Sequence, residues 1–318
     1  MRHLVALAAG LGLCVLTAAV SRADTTAANS SDYNAVSAVP APPVGGQIGS
    51  NSGNNGSIHV DGGFDYTTAD FFRGIRQTPQ TNEIFQGYLD VFLNIVDTGS
   101  LRFGPYVGVR GGGAKLEDNG APLTDYLSEY YAGVAIGISS ISATIGYMEH
   151  HSPDGSFGTQ NEIGARIDLN DASSDSQLNL PFALNPHIGL FREVLDQNDG
   201  LTSIRSQPGK QNSYLEVGLT PRTSIPLGSM SFTVAVPITC GMSWDNYYSL
   251  TPNASSNFFG FQSIGLMGAL GLPLPTSWGS WDFRGGITYM HDSANGAIDV
   301  DRGHRDFFFG GAGIGLHY

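Results

Sequence analysis

The sequence predicts an all-β protein, an antiparallel transmembrane β-barrel of about twelve strands. Three observations carry this expectation. Apolar and polar residues alternate with period two, run after run, from Ile58 to Tyr318. Aromatic residues stand at the ends of the apolar rows, at Tyr66, Phe103, Tyr147, Trp281, Tyr289 and Tyr318, as an interfacial girdle requires. The opposite rows mix Asp, Glu and Arg with Gly and Tyr, while lysine, which guards open sheet edges, is rare.

Taken in order, the chain opens with Arg2, an apolar run from Leu4 to Val20, and Ser21-Arg22-Ala23. That pattern predicts a secretory signal peptide over 1–23, cleaved after Ala23. Residues 24–56 are Ala, Ser, Asn, Gly and Pro with few bulky side chains. They cannot bury enough apolar surface to offset ordering entropy, so a disordered low-complexity leader is expected. Residues 57–318 read as one unit, the barrel.

Its strands follow one another with the same grammar. Ile58, Val60, Phe64 and Tyr66 alternate with His59, Asp61, Gly63 and Asp65. Phe85, Leu89 and Val91 oppose Gln86, Tyr88 and Asp90; Phe103, Val107 and Val109 oppose Arg102, Tyr106 and Arg110. Tyr130, Val134 and Ile136 oppose Glu129 and Tyr131; Ile141, Ile145 and Tyr147 oppose Ser142, Thr144 and Met148. Ile163, Ala165 and Ile167 face away from Glu162, Arg166 and Asp168. Later runs pair Ile188 and Leu190 with His187 and Phe191, and Leu215 and Val217 with Tyr214 and Glu216. Phe232 and Val234 oppose Thr233, Leu266 and Gly268 oppose Met267, and Phe283 and Ile287 oppose Asp282 and Arg284. The closing run sets Phe308, Ile314, Leu316 and Tyr318 against Phe307, Phe309, Gly311, Gly313 and His317.

In a soluble sandwich, the alternative fold, the apolar rows would face a core and the charged rows water. In a membrane barrel the apolar rows face lipid and the charged rows a lumen. Girdle position, mixed-sign polar rows and scarce lysine favour lipid. Long polar connections follow the odd-numbered strands (113–124, 196–211, 292–304), and tight turns follow the second and fourth (97–100, 139–140). The connections at 170–181, 220–228 and 273–279 read as longer than periplasmic turns usually are. An even strand number places both ends of the barrel domain on the periplasmic side of a Gram-negative outer membrane.

The spacing Gly313-x-x-Leu316-x-Tyr318 resembles the C-terminal signal read by the barrel-assembly machinery, which implies that machinery as a partner. After the first strand comes Asp70-Phe71-Phe72-Arg73-Gly74-Ile75-Arg76-Gln77. This stretch resembles the D-Y-x-F-R-G-x-S-Q motif of TorF-like proteins, a family of uncharacterised bacterial outer-membrane proteins. Phe72, Arg73, Gly74 and Gln77 match it; Asp70 lies one residue closer, and Arg76 takes the place of the serine. The resemblance implies a barrel and supplies no reaction. On physical grounds two aromatics followed by Arg-Gly can fold a loop back over the barrel mouth. Gly74 would free the turn, and Arg73 would pair with a carboxylate such as Asp65 or Asp90. Alternatively, Arg73 and Arg76 form a constriction.

The expected lumen row comprises Asp61, Asp65, Asp90, Arg102, Arg110, Glu129, Glu162, Arg166, Asp168, Glu216, Asp282 and Arg284. Such charges either interlock as a plug of ion pairs or line a path for small polar solutes. Loss of Arg2 and Arg22 with the signal peptide takes 15 basic residues to 13 against 28 acidic, a net charge of −15. That balance excludes nucleic acid as a partner and gives any pore a cation preference. Only Cys240 would survive cleavage, so no intramolecular disulfide is available.

No G-x-S-x-G, H-E-x-x-H or paired-cysteine metal spacing occurs, so no catalytic residue, metal or cofactor is assigned. Glu117, Asp118, Asp196, Asp199, Asp299 and Asp301 in outer loops would meet solvent, or divalent cations bridging lipopolysaccharide. The expectation is a passive porin-like channel or structural barrel among outer-membrane lipids, and not an enzyme. A lipid-modifying barrel with His150 or His151 at its lipid-facing rim is the alternative.

Overall fold

The computed structural model describes residues 57–77, 83–98, 101–114, 124–153, 159–171, 182–194, 212–245, 247–248, 258–274, 279–293 and 303–318. The expected signal peptide, the leader and the acidic loop residues Glu117, Asp118, Asp196, Asp199, Asp299 and Asp301 lie outside these.

The described chain is a closed antiparallel barrel of twelve strands. The first six are β1 (Ile58–Thr67), β2 (Ile84–Leu93), β3 (Leu101–Ala114), β4 (Thr124–Ile138), β5 (Ile141–His151) and β6 (Gln160–Leu169). Next come β7 (His187–Glu193), β8 (Ser213–Leu219, continuing as Arg222–Leu227) and β9 (Met230–Ala235, continuing as Ile238–Met242). The last are β10 (Phe259–Pro273), β11 (Ser280–Asp292) and β12 (Asp306–His317). Each pairs with the next, and β12 returns to β1 with Asp61 opposite His317 and Thr67 opposite Gly311. Reciprocal 2.8 Å bonds between Val60 and Tyr318 finish the seam. Closure matters because an open edge in hydrocarbon would leave backbone amides and carbonyls unsatisfied.

Two prolines explain the split strands. Pro221 and Pro237 carry no N–H, so each interrupts its ladder. Val236 N donates to Pro221 O and Gly265 N to Pro237 O, both at 2.8 Å, and carry the pairing past the break. The segment 220–228, expected as a long connection, is therefore mostly strand: Arg222–Leu227 pairs with Met230–Ala235. The true turn is at 228–229, where Gly228 takes φ 68°, a left-handed conformation that glycine adopts without steric cost.

The two faces are inverted relative to a soluble protein. Phe308 is 81% exposed, Phe64 73% and Ile287 62%, whereas Glu162, Glu216, Arg284 and Asp65 are all buried. Apolar rows look outward and charged rows inward, which the sandwich alternative does not allow.

One segment departs from the wall. Between β1 and β2, Phe71–Phe72 and Ile75–Arg76 form a small hairpin that pairs with no barrel strand. Phe71, Phe72, Arg73 and Ile75 are all buried, so the hairpin enters the lumen from the end that carries the long connections. There it meets an aromatic core of Phe191, Tyr214, Tyr247, Tyr248, Phe261 and Phe309. Fully burying an aromatic or branched aliphatic side chain contributes about 1.5–3 kcal/mol, which accounts for the hairpin's place inside rather than above the mouth.

Candidate functional site

The candidate site is the lumen where this hairpin meets the wall. At the hairpin tip Arg73 has φ 52° and Gly74 φ 81°, and a side chain on Gly74 would run into Phe261 at 2.1 Å. The tip thus turns Arg73 toward strands β6 to β8. Its Nη2 lies 2.8 Å from Glu162 Oε2, and its Nη1 3.9 Å from Glu216 Oε2. The guanidinium carbon sits 3.7 Å from the Phe191 ring centroid, 4.8 Å from Tyr214 and 5.2 Å from Phe72. Tyr248 donates its hydroxyl to the Arg73 carbonyl at 2.9 Å.

The wall fixes both carboxylates independently of the hairpin. Gln160 Nε2 donates to Glu162 Oε1 at 3.0 Å and to Glu193 Oε1 at 2.9 Å. Glu216 Oε1 lies 3.3 Å from both Arg166 Nη1 and His187 Nε2, and Tyr214 donates to Oε2 at 3.1 Å. Arg166 also pairs with Asp168 at 3.0 Å. Buried charges are tolerated where pairing and hydrogen bonds replace lost hydration.

A second network flanks the hairpin. Glu129 lies 2.7 Å from His150 Nδ1 and 3.5 Å from Arg110, and Phe72 stacks on His150 with centroids 4.2 Å apart. Gln86 donates to the Tyr126 hydroxyl, which donates to Asp70, both at 2.8 Å. Burial pushes the Asp70 carboxyl above its ordinary pKa, against the opposing effect of the Tyr126 hydrogen bond. Asp90 accepts from Tyr131.

A third network occupies the short-turn end. Arg284 binds Asp65 at 2.9 Å and Asp282 at 3.4 Å, and donates to Tyr88 at 3.0 Å. His317 lies between Asp61 and Asp282, at 2.8 Å from each.

Most expected lumen residues are therefore brought into these three networks. Arg102 instead sits near the short-turn rim, 3.4 Å from Asp97 and partly exposed. Arg73 does not reach Asp65 or Asp90, which are engaged by Arg284 and Tyr131; its partner is Glu162. Arg76 lies half-buried opposite Phe71 in the hairpin. His150 is not at a lipid-facing rim, being buried in the lumen against Glu129. His151 lies on the other parity, with Nδ1 2.8 Å from Thr159. In the terminal strand, Leu316 and Tyr318 share the lipid-facing parity, while Gly313 faces the lumen beneath Asp65.

Residues outside the sequence expectation include Gln160, Glu193, Tyr247 and Tyr248. Parity carried the signal for Glu193, which extends the inward-facing row of His187 and Phe191 by one more step.

No protein-family model matches the chain, and no curated protein matches its sequence. Among solved structures it is similar to outer membrane phospholipase A from Escherichia coli, with 10% identity, 80% of this chain and 89% of that chain covered, and TM-score 0.43. LpxR from Salmonella typhimurium gives 7% identity, 80% and 99% coverage, and TM-score 0.44. The transport unit of the autotransporter AIDA-I from Escherichia coli gives 12% identity, 83% and 91% coverage, and TM-score 0.39. The likeness concerns the barrel and no further.

Proposed function

We propose that this chain is an outer-membrane β-barrel that serves as a narrow passive channel for small polar solutes, stoppered from its outer end by the inward hairpin. It is exported by its N-terminal segment, lies among outer-membrane lipids and lipopolysaccharide, and is inserted by the barrel-assembly machinery. The observation that carries the channel reading is the hairpin. Inside the outer end of the polar lumen lies a segment that, among the described residues, pairs with no wall strand and is held around Arg73 by an ion pair, ring contacts and the Tyr248 hydroxyl. A stopper attached in that way can leave while the wall keeps its own hydrogen bonds. Carboxylates Glu162, Glu216, Asp65 and Asp282 in the lumen favour cations over anions.

Planar-bilayer recording tests the reading. The wild type should give small, cation-selective conductance, and Arg73→Ala should raise it several-fold. Electrical silence in both proteins, each shown to be folded by heat-modifiable gel migration, would overturn it.

A further inference from the structure

The chamber around Arg73 has the construction of a binding site for a planar cation. Its walls come from three successive strands: Glu162 on β6, Phe191 on β7, Tyr214 and Glu216 on β8. Phe191 lies over Gly164, where any side chain would meet its ring at 2.3 Å, so the ring is held flat against the wall. Gln160 orients Glu162, and Arg166 with Tyr214 orients Glu216. None of these groups belongs to the hairpin, so the chamber is preorganised without it.

The occupant is a guanidinium delivered on a tether. It lies close to the Phe191 ring, with one nitrogen bonded to Glu162 and another directed at Glu216. The tether holds a strained turn to deliver it, since a non-glycine residue at φ 52° is disfavoured. A guanidinium matches this box in ways an ammonium does not. It is planar, less strongly hydrated, stacks on an aromatic face and offers several fixed donors. Arg166, which Asp168 shares, offsets only part of the acid charge, so the chamber still attracts a cation.

We propose that this chamber is a recognition site for guanidino solutes, and that Arg73 occupies it as an internal stand-in while the barrel is closed. A free solute with a guanidinium group takes Arg73's place and releases the hairpin. The inference rests on the channel reading above and names its solute class.

The test compares methylguanidinium with methylammonium, equal in charge, at constant ionic strength on Arg73→Ala in planar bilayers. Methylguanidinium should block the Arg73→Ala current at a concentration at least tenfold below methylammonium. The triple variant Arg73→Ala, Glu162→Gln, Glu216→Gln should lose that preference. Where Arg73→Ala does not fold, Arg73→Gln carries the same titration. If Arg73→Ala conducts and the two cations act alike, the recognition site is refuted while the channel stands. If no variant conducts, the channel reading falls. Recognition is then decided in detergent, where methylguanidinium but not methylammonium should raise the unfolding temperature of Arg73→Ala; equal effects refute it.

Discussion

Arg284 and Asp65 stand on strands that do not touch, and their side chains meet over Gly313 of the strand between them. The registers place Arg284 opposite Gly313 and Gly313 opposite Asp65, and the ion pair arches across at 2.9 Å. A side chain on Gly313 would strike Asp65 Oδ1 at 1.8 Å. The glycine of the Gly313-x-x-Leu316-x-Tyr318 spacing thus has a packing role. Gly313→Val should break the arch and destabilise the barrel by at least the roughly 1–3 kcal/mol of an overpacked core. The neighbouring lipid-facing Ala312→Val should stay within about 0.5 kcal/mol. The temperature at which gel migration shifts measures both, and equal shifts would remove the argument.

The inversion of the two faces predicts a labelling pattern. In a Cys240→Ser background, nitroxides at Ile163, Ile167 and Val217 should collide readily with oxygen and poorly with a water-soluble nickel chelate. All three side chains are exposed on the outside of the barrel, where hydrocarbon would surround them. Ready collision with nickel at all three sites would mean that the apolar belt faces water.

The wall was legible because a barrel strand must alternate, and the alternation of Glu162, Arg166 and Asp168 with Ile163 and Ile167 survives any choice of register. Segment 222–227 was not legible, because Pro221 and Pro226 read as connection. Pro226 stands in the last pairs before the turn, opposite Ser231, where a missing donor costs little. Parity separated the adjacent Phe308 and Phe309, one exposed and the other buried, and set Phe191 and Tyr214 inward. Tyr247 and Tyr248 of the aromatic core were hidden, because they lie in no strand and no alternation marks them. That Arg73 chooses Glu162 depends on which acids are already engaged across the barrel, which local sequence does not encode.

Tyr248 predicts a graded effect on the stopper. Its hydroxyl donates to the Arg73 carbonyl, a neutral hydrogen bond of the kind that contributes about 1 kcal/mol net. Tyr248→Phe should keep the aromatic contacts with Tyr214 and Tyr247 and lose only that bond. The fraction of time spent open in single-channel records should rise about fivefold, since 1 kcal/mol is about a factor of five at room temperature. An unchanged open fraction would show that the hydroxyl does not hold the hairpin.

Asp70 predicts how the stopper responds to pH. It lies at the base of the hairpin, where its carbonyl accepts from Gln77 N at 2.9 Å, and burial raises its carboxyl pKa. A carboxyl whose docked pKa exceeds its free value binds its proton more tightly when docked. Its contribution to docking is therefore fully present below the free carboxyl pKa and is lost as pH rises through the higher docked value. Tyr126, His150, Arg110 and Glu129 also act on this group, but all four remain in an Asp70→Asn variant. The difference between the two proteins therefore reports Asp70. Wild-type conductance should climb more steeply than that of Asp70→Asn as pH rises from the acid side. Superimposable pH profiles would show that Asp70 ionisation has no part in holding the hairpin.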